Sequence, residues 1–367
     1  MLLFAVCLYL FILSYSFILY LYFHFSYKTD YLNNIFGFIS LLCIFFHVLL
    51  FQIIMSLDLS LQQFFIPLWS LMLGVPMLFV GILVLISTGI IKMIKKDSQR
   101  VFAELSNKLQ KKRENWSKAK KDTLRKINHV LLFLGLIFVW YIGLVIANIF
   151  SGSSTGMIPE ENNMLLLYLR ILSNPFSIKN VLFSLGWFYY ILFFFFYIMS
   201  MFMLSNEFAR KSKRFSFPFT FFTKIYLSES EKQSYGTYLY FSIGQMFAAF
   251  VCPPMVFFMI LGTASISDLM TSQIGIRFGK SRIKWNQNKT WEGTIAGTLI
   301  TLVIGFLFVG FYWSLIFTLV FLLIDIFTAK PFDMSDNLLI PISFGLIYLF
   351  VRFFFNLNYY TIIIFWI

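Results

Sequence analysis

The stretch NVLFSLGWFYYILFFFFYIMSMFML, running from Asn180 to Leu204, carries no charged side chain. An α-helix rises about 1.5 Å per residue, so about 20 apolar residues cross a hydrocarbon layer about 30 Å thick. The apolar residues here are continuous rather than gathered on one helical face, which reads as a membrane span and not as an amphipathic helix. Comparable runs occupy about 2–23, 35–55, 67–93 and 129–150, then 236–252, 254–276, 294–311, 313–328 and 338–355. The short alternating segments of a transmembrane β-barrel are absent. The expected fold is therefore all-α: a polytopic integral membrane helical bundle of about 9–11 spans.

Composition agrees. Of 367 residues, 59% are hydrophobic and 12% charged, against about 45–50% and about 25% in soluble domains. Met1 to Phe23 lacks a basic leader and a small-x-small cleavage site, so it reads as a retained first span. Cys7, Cys43 and Cys252 stand apart in apolar runs, which gives neither a disulfide framework nor a zinc site. The formal net charge of +13 lies in the connections between spans. Basic loops set orientation and attract anionic headgroups, and an anionic nucleotide would also benefit. Nucleic acid is a poor partner for loops flanked by spans.

The densest basic segment, 92–127, runs from Lys92 to Lys126 and is expected on the cytoplasmic side. Val101, Leu105 and Leu109 recur at helical spacing, as in a helix lying on a membrane surface. Counting spans from this anchor, the polar stretches at 207–232, 277–289 and 330–337 emerge on the same side. The early spans are nearly free of polar groups and the later ones are punctuated by them. Residues 1–150 are accordingly expected to form an accessory bundle and 178–367 the working unit.

Asp268 sits inside or at the edge of a span, where an ionisable residue is costly and marks a candidate site. Carboxylates are the ligands Mg²⁺ takes, one or two per ion with phosphate oxygens. Asp268, Thr271, Ser272 and Gly275 share one side of a helix. Gly275 and Gly279 allow close backbone approach, to a phosphate or to a neighbouring helix. Gly275-x3-Gly279-Lys280-Ser281 is one residue short of a P-loop and follows a membrane helix rather than a strand, so it is not one. Lys289 can neutralise phosphate, Thr290 can cap the following helix, and Glu292 can ligate metal or fix Lys289. A capped helix start with a surface ion pair is the plain alternative.

These elements resemble a known signature. Asp268 with Gly275, followed by Lys289-Thr290-Trp291-Glu292-Gly293, resembles the motif shared by CTP-dependent polyprenol kinases (dolichol, phytol and yeast-type diacylglycerol kinases) and CDP-diacylglycerol synthases. Glu207-Phe208-Ala209-Arg210-Lys211 and Tyr235-Gly236-Thr237-Tyr238-Leu239-Tyr240 resemble two further kinase elements, and Asp336-Asn337 with Pro341 resembles a third. Ser267 stands where the family has glycine, and the histidine that often follows Arg-Lys is absent. The resemblance implies a membrane phosphotransferase that uses CTP and Mg²⁺ to phosphorylate a lipid alcohol, dolichol or another polyprenol first among them. Asp268, Lys289, Glu292 and Asp336 are its implied catalytic residues, with Asp268 and Asp336 on the metal. Arg210, Lys211, Thr271, Gly275, Lys280, Thr290, Gly293 and Asn337 are its implied nucleotide contacts. Trp291 is the synthase form of its position, so a phosphatidate cytidylyltransferase is the alternative. A membrane transporter is the alternative of another class. The implied location is the endoplasmic reticulum membrane in a eukaryote and the cell membrane otherwise.

Overall fold

The computed structural model describes residues 31–55, 59–93, 115–151, 185–211, 235–328 and 334–363, with single positions between them. The expected first span at 2–23 and most of the surface helix around Val101 to Leu109 lie outside the described residues. Nine helices follow one another among the rest: α1 (Tyr31–Met55), α2 (Leu59–Met93), α3 (Lys118–Ser151), α4 (Trp187–Lys211), α5 (Thr237–Val251), α6 (Pro254–Phe278), α7 (Trp291–Val309), α8 (Phe311–Phe327) and α9 (Asp336–Phe355). No strand is present among the described residues.

Six of these helices are long and apolar enough to cross a membrane. The protein is an all-α membrane bundle. α5 has 15 residues and α8 has 17, short of the about 20 that cross a bilayer. The break after α5 has a local cause. Pro253 and Pro254 carry no N–H, so Cys252 closes α5 and Pro254 opens α6 at its first position, where a missing donor costs nothing.

α5 is the axis of the bundle. Every residue from Leu239 to Val251 is buried, as expected for a helix that is apolar all round. It packs against α1, α4 and α9. α6 lies against α3 and α7, and α7 pairs with α8. Gly310, at φ 83°, makes the tight turn between those two helices.

Leu41, Leu73, Phe133, Phe196, Phe258 and Phe344 belong to one contiguous apolar core. Polar contacts also cross position 150. Asn34 Oδ1 accepts from the Tyr240 hydroxyl at 2.9 Å, and the Tyr197 hydroxyl donates to the Leu73 carbonyl at 2.8 Å. The boundary near residue 150 marks a change in composition and not a break in packing.

Candidate functional site

α6 changes pitch at Thr263–Ser267, a single π-helical turn inside an otherwise α-helical span. Such turns insert an extra residue and are frequent at functional positions. The turn delivers Asp268 to the first position of the final α-helical stretch, where it is buried. Lys126, from the start of α3, meets it there. The Lys126 ammonium donates to Asp268 Oδ2 at 2.7 Å and to the Asp268 backbone carbonyl at 3.0 Å.

Residues 279–290 form a hydrogen-bonded loop that returns the chain to α7. The Ile283 N–H donates to the Lys289 carbonyl, the Trp291 N–H donates to the Ser281 carbonyl, and Asn286 Nδ2 reaches the Asp325 carbonyl at 3.1 Å and Thr328 Oγ1 at 3.0 Å. Lys289 is thereby aimed into the bundle. Its ammonium lies 2.7 Å from Asp325 Oδ1, 3.2 Å from Asp336 Oδ2 and 3.8 Å from Asp268 Oδ1. Asp325, at the end of α8, also accepts from the Thr294 hydroxyl of α7. Asp336, at the first position of α9, accepts from the Asn337 N–H at 3.0 Å.

The electrostatics decide which groups stay charged. Burial opposes the Lys289 charge, but the carboxylates of Asp325, Asp336 and Asp268 more than offset it and hold the ammonium well above the usual lysine range. Three carboxylates, Asp268, Asp325 and Asp336, thus face two ammoniums, Lys126 and Lys289.

A second polar group borders the first. Arg210 forms a two-pronged pair with Glu207, at 3.0 and 2.5 Å, and the Tyr238 hydroxyl also donates to Glu207. Thr237 donates to Glu231 through its backbone N–H at 3.2 Å and its hydroxyl at 2.7 Å. Glu231 lies 3.9 Å from Arg125, and Arg125 lies 3.3 Å from Asp122. Asp122 in turn accepts from Ser272 at 2.5 Å and from Gln273 at 3.2 Å, both on α6. The polar residues thus make a belt of two groups, Arg210–Glu207–Tyr238 and Thr237–Glu231–Arg125–Asp122–Ser272, adjacent in sequence at Thr237-Tyr238.

Several expected site residues meet and others do not. Asp268, Lys289 and Asp336 converge although they are far apart in sequence. Glu292 does not reach Lys289. It is half-buried and accepts from the backbone N–H groups of Lys280 and Ser281 at 3.1 Å, so it braces the loop. Thr290 is the N-cap of α7, its hydroxyl accepting from the Gly293 N–H at 3.3 Å. Thr271, Gly275 and Gly293 form the seam between α6 and α7. A Cβ on Gly293 would collide with the Thr271 carbonyl, and one on Gly275 would stand 3.0 Å from Thr290 Oγ1. This is the helix-packing role that their spacing left open. Arg210 is engaged by Glu207.

Lys126, Asp325 and Asp122 were not anticipated. Asp325 carried a legible signal, since a carboxylate in the apolar run 311–327 is as costly as Asp268. Lys126 carried none, being one lysine in a long basic segment.

The donor chemistry fits Mg²⁺ at Asp268 and Asp336. Asp268 Oδ1 accepts no hydrogen bond among the described residues and faces the site. No group of three His, Cys, Asp or Glu with metal-binding geometry occurs among the described residues. Mg²⁺ at a nucleotide needs only one or two carboxylates, however, the rest being phosphate and water. Comparison with family models, curated proteins and solved structures returns no match.

Proposed function

We propose that the chain is a CTP-dependent lipid kinase that transfers the terminal phosphoryl group of CTP to the hydroxyl of a membrane lipid alcohol. One observation carries this reading. Asp268, Lys289 and Asp336, singled out from three separate sequence elements, meet around one ammonium at one end of a membrane bundle. Phosphoryl transfer needs charge neutralisation and alignment more than covalent chemistry from the protein. In the reaction the lipid oxygen bonds to the γ-phosphorus, the bond to the β-phosphate oxygen breaks, CDP leaves and the hydroxyl proton is lost.

Asp268 and Asp336 would hold Mg²⁺, which when bound supplies positive charge to the triphosphate. Lys289 neutralises phosphate charge, and Asp325 keeps its side chain pointed into the site. The basic segments at 92–127 and 277–289 set this end of the bundle in the cytoplasm, where CTP is found. A dolichol-like polyprenol fits the resemblance best and would place the protein in the endoplasmic reticulum membrane of a eukaryote.

The test is to give the purified protein γ-labelled CTP and Mg²⁺ with a polyprenol or, separately, a phosphatidic acid. Label in a lipid phosphate supports the kinase. Label released as pyrophosphate, with cytidine joined to the lipid, replaces it with the cytidylyltransferase. Asp268→Asn and Asp336→Asn are each expected to abolish transfer, and full activity in either variant would remove that carboxylate from the site.

A further inference from the structure

α4 carries a single stripe of residues that line a cavity of about 280 Å³: Phe195, Ile198, Met199, Phe202, Met203 and Asn206. Their spacing is helical, so the cavity is a groove parallel to the helix axis. From Phe195 to Asn206 it runs about 16 Å, at about 1.5 Å per residue. A lipid tail lies in the same direction as a membrane-spanning helix.

The lining is apolar throughout, with Asn206 the one polar residue among those that line it. Phe195 and Ile198 are each 37% exposed, which opens this end sideways toward the surrounding bilayer. Met199 and Met203 give a soft, adaptable lining, as unbranched thioether side chains do. Opposite the stripe stands Phe217, whose ring packs on Phe202 at 5.8 Å. Asn206 closes the other end and donates to the Tyr238 hydroxyl at 2.9 Å. Beyond it stand Glu207, which accepts from the same Tyr238 hydroxyl, and Arg210, which pairs with Glu207. Apolar walls, a lateral mouth and a polar end residue describe one kind of occupant. It is a single hydrocarbon chain with a small polar head.

We propose that this groove holds the tail of the lipid substrate, entering between Phe195 and Ile198 and presenting its hydroxyl end to the belt at Asn206. The identity of the lipid as a substrate rests on the kinase reading above. The groove itself does not.

The experiment uses the full chain in phosphatidylcholine nanodiscs. The probe is a long-chain alcohol bearing an alkyl diazirine midway along its tail. After illumination, adducts are expected on the peptide covering 195–206, with excess unlabelled alcohol suppressing them. Met199→Trp fills the groove and Ile198→Trp narrows its mouth. Either is expected to cut labelling roughly tenfold, equivalent to about 1.4 kcal/mol of binding. Adducts spread evenly over the lipid-facing sides of α2 and α3, or labelling unchanged in both variants, would overturn the groove.

The two readings fail separately. Adducts on α4 without phosphoryl transfer from labelled CTP would leave the groove and remove the kinase. Transfer with an unaltered KM for the long-chain alcohol in both variants would leave the kinase and remove the groove.

Discussion

Lys126 holds Asp268 through two atoms, a carboxylate oxygen and the backbone carbonyl that follows the π-helical turn. Both side chains are buried, so removing one partner leaves the other charge uncompensated, at a cost of about 3–5 kcal/mol. Lys126→Met should lower the thermal midpoint sharply, and adding Asp268→Asn should restore much of it. Additive losses in that double-variant cycle, read by unfolding in detergent, would mean the two are not coupled. Lys289 gives a pH prediction. Its ammonium is held well above the usual range by Asp325, Asp336 and Asp268 against the effect of burial. With a raised folded value, its stabilising contribution is fully present below the unfolded value of about 10.4 and is lost only as pH rises through the folded one. The stability difference between the wild type and Lys289→Gln should therefore stay constant from about pH 7 to 9. A difference that fades within that window would show that Lys289 titrates like an ordinary lysine.

Helices α6 and α7 meet where neither can carry a larger side chain. A Cβ on Gly297 would overlap Thr271 Oγ1 and stand 3.0 Å from the Phe321 ring. Gly297→Val should therefore cost about 1–3 kcal/mol through overpacking. Gly81→Ala on α2, where nothing lies within 4 Å, should change stability by less than about 1 kcal/mol. Equal losses at the two positions would dissolve the seam as an explanation. The same seam carries the loop that aims Lys289, because Thr290 caps α7 directly after it. Thr290→Ala should cost about 1 kcal/mol of stability. Its effect on phosphoryl transfer should exceed that loss, since the capped turn fixes the ammonium among its carboxylates.

Charge and packing tie the whole bundle to one working end. α3 contributes Lys126 and Asp122, and α1 contributes Asn33, whose side chain accepts from the Ser335 N–H at 2.6 Å beside Asp336. A chain lacking residues 1–150 is expected to lose transfer outright, because it lacks a partner of Asp268. Unchanged activity would restore these residues to an accessory role. If the basic loops face the cytoplasm, as their charge leads one to expect, the sequons at Asn115 and Asn288 should remain unglycosylated in a eukaryotic host. Glycan on either, detected by a gel shift reversed with glycosidase, would invert the orientation.

Long uncharged runs alone determined the fold class, because a helix that satisfies its own backbone is the simplest structure such runs can form in lipid. Pro253-Pro254 likewise announced the break between α5 and α6, since proline acts on its own chain. Asp268 was legible because charge inside an apolar run is costly, Lys289 because it stands just before a capped helix start, and Asp336 only through the resemblance. Their meeting was not legible, because it depends on which helices lie side by side. Only the tertiary structure moved Glu292 away from Lys289 and put Asp325 in its place. Only it drew Lys126 out of a basic segment to face Asp268, and turned Gly275 and Gly293 into a helix seam. The physical reason is the same in each case. Local chemistry sets what a residue can do, and packing decides which partner it does it with.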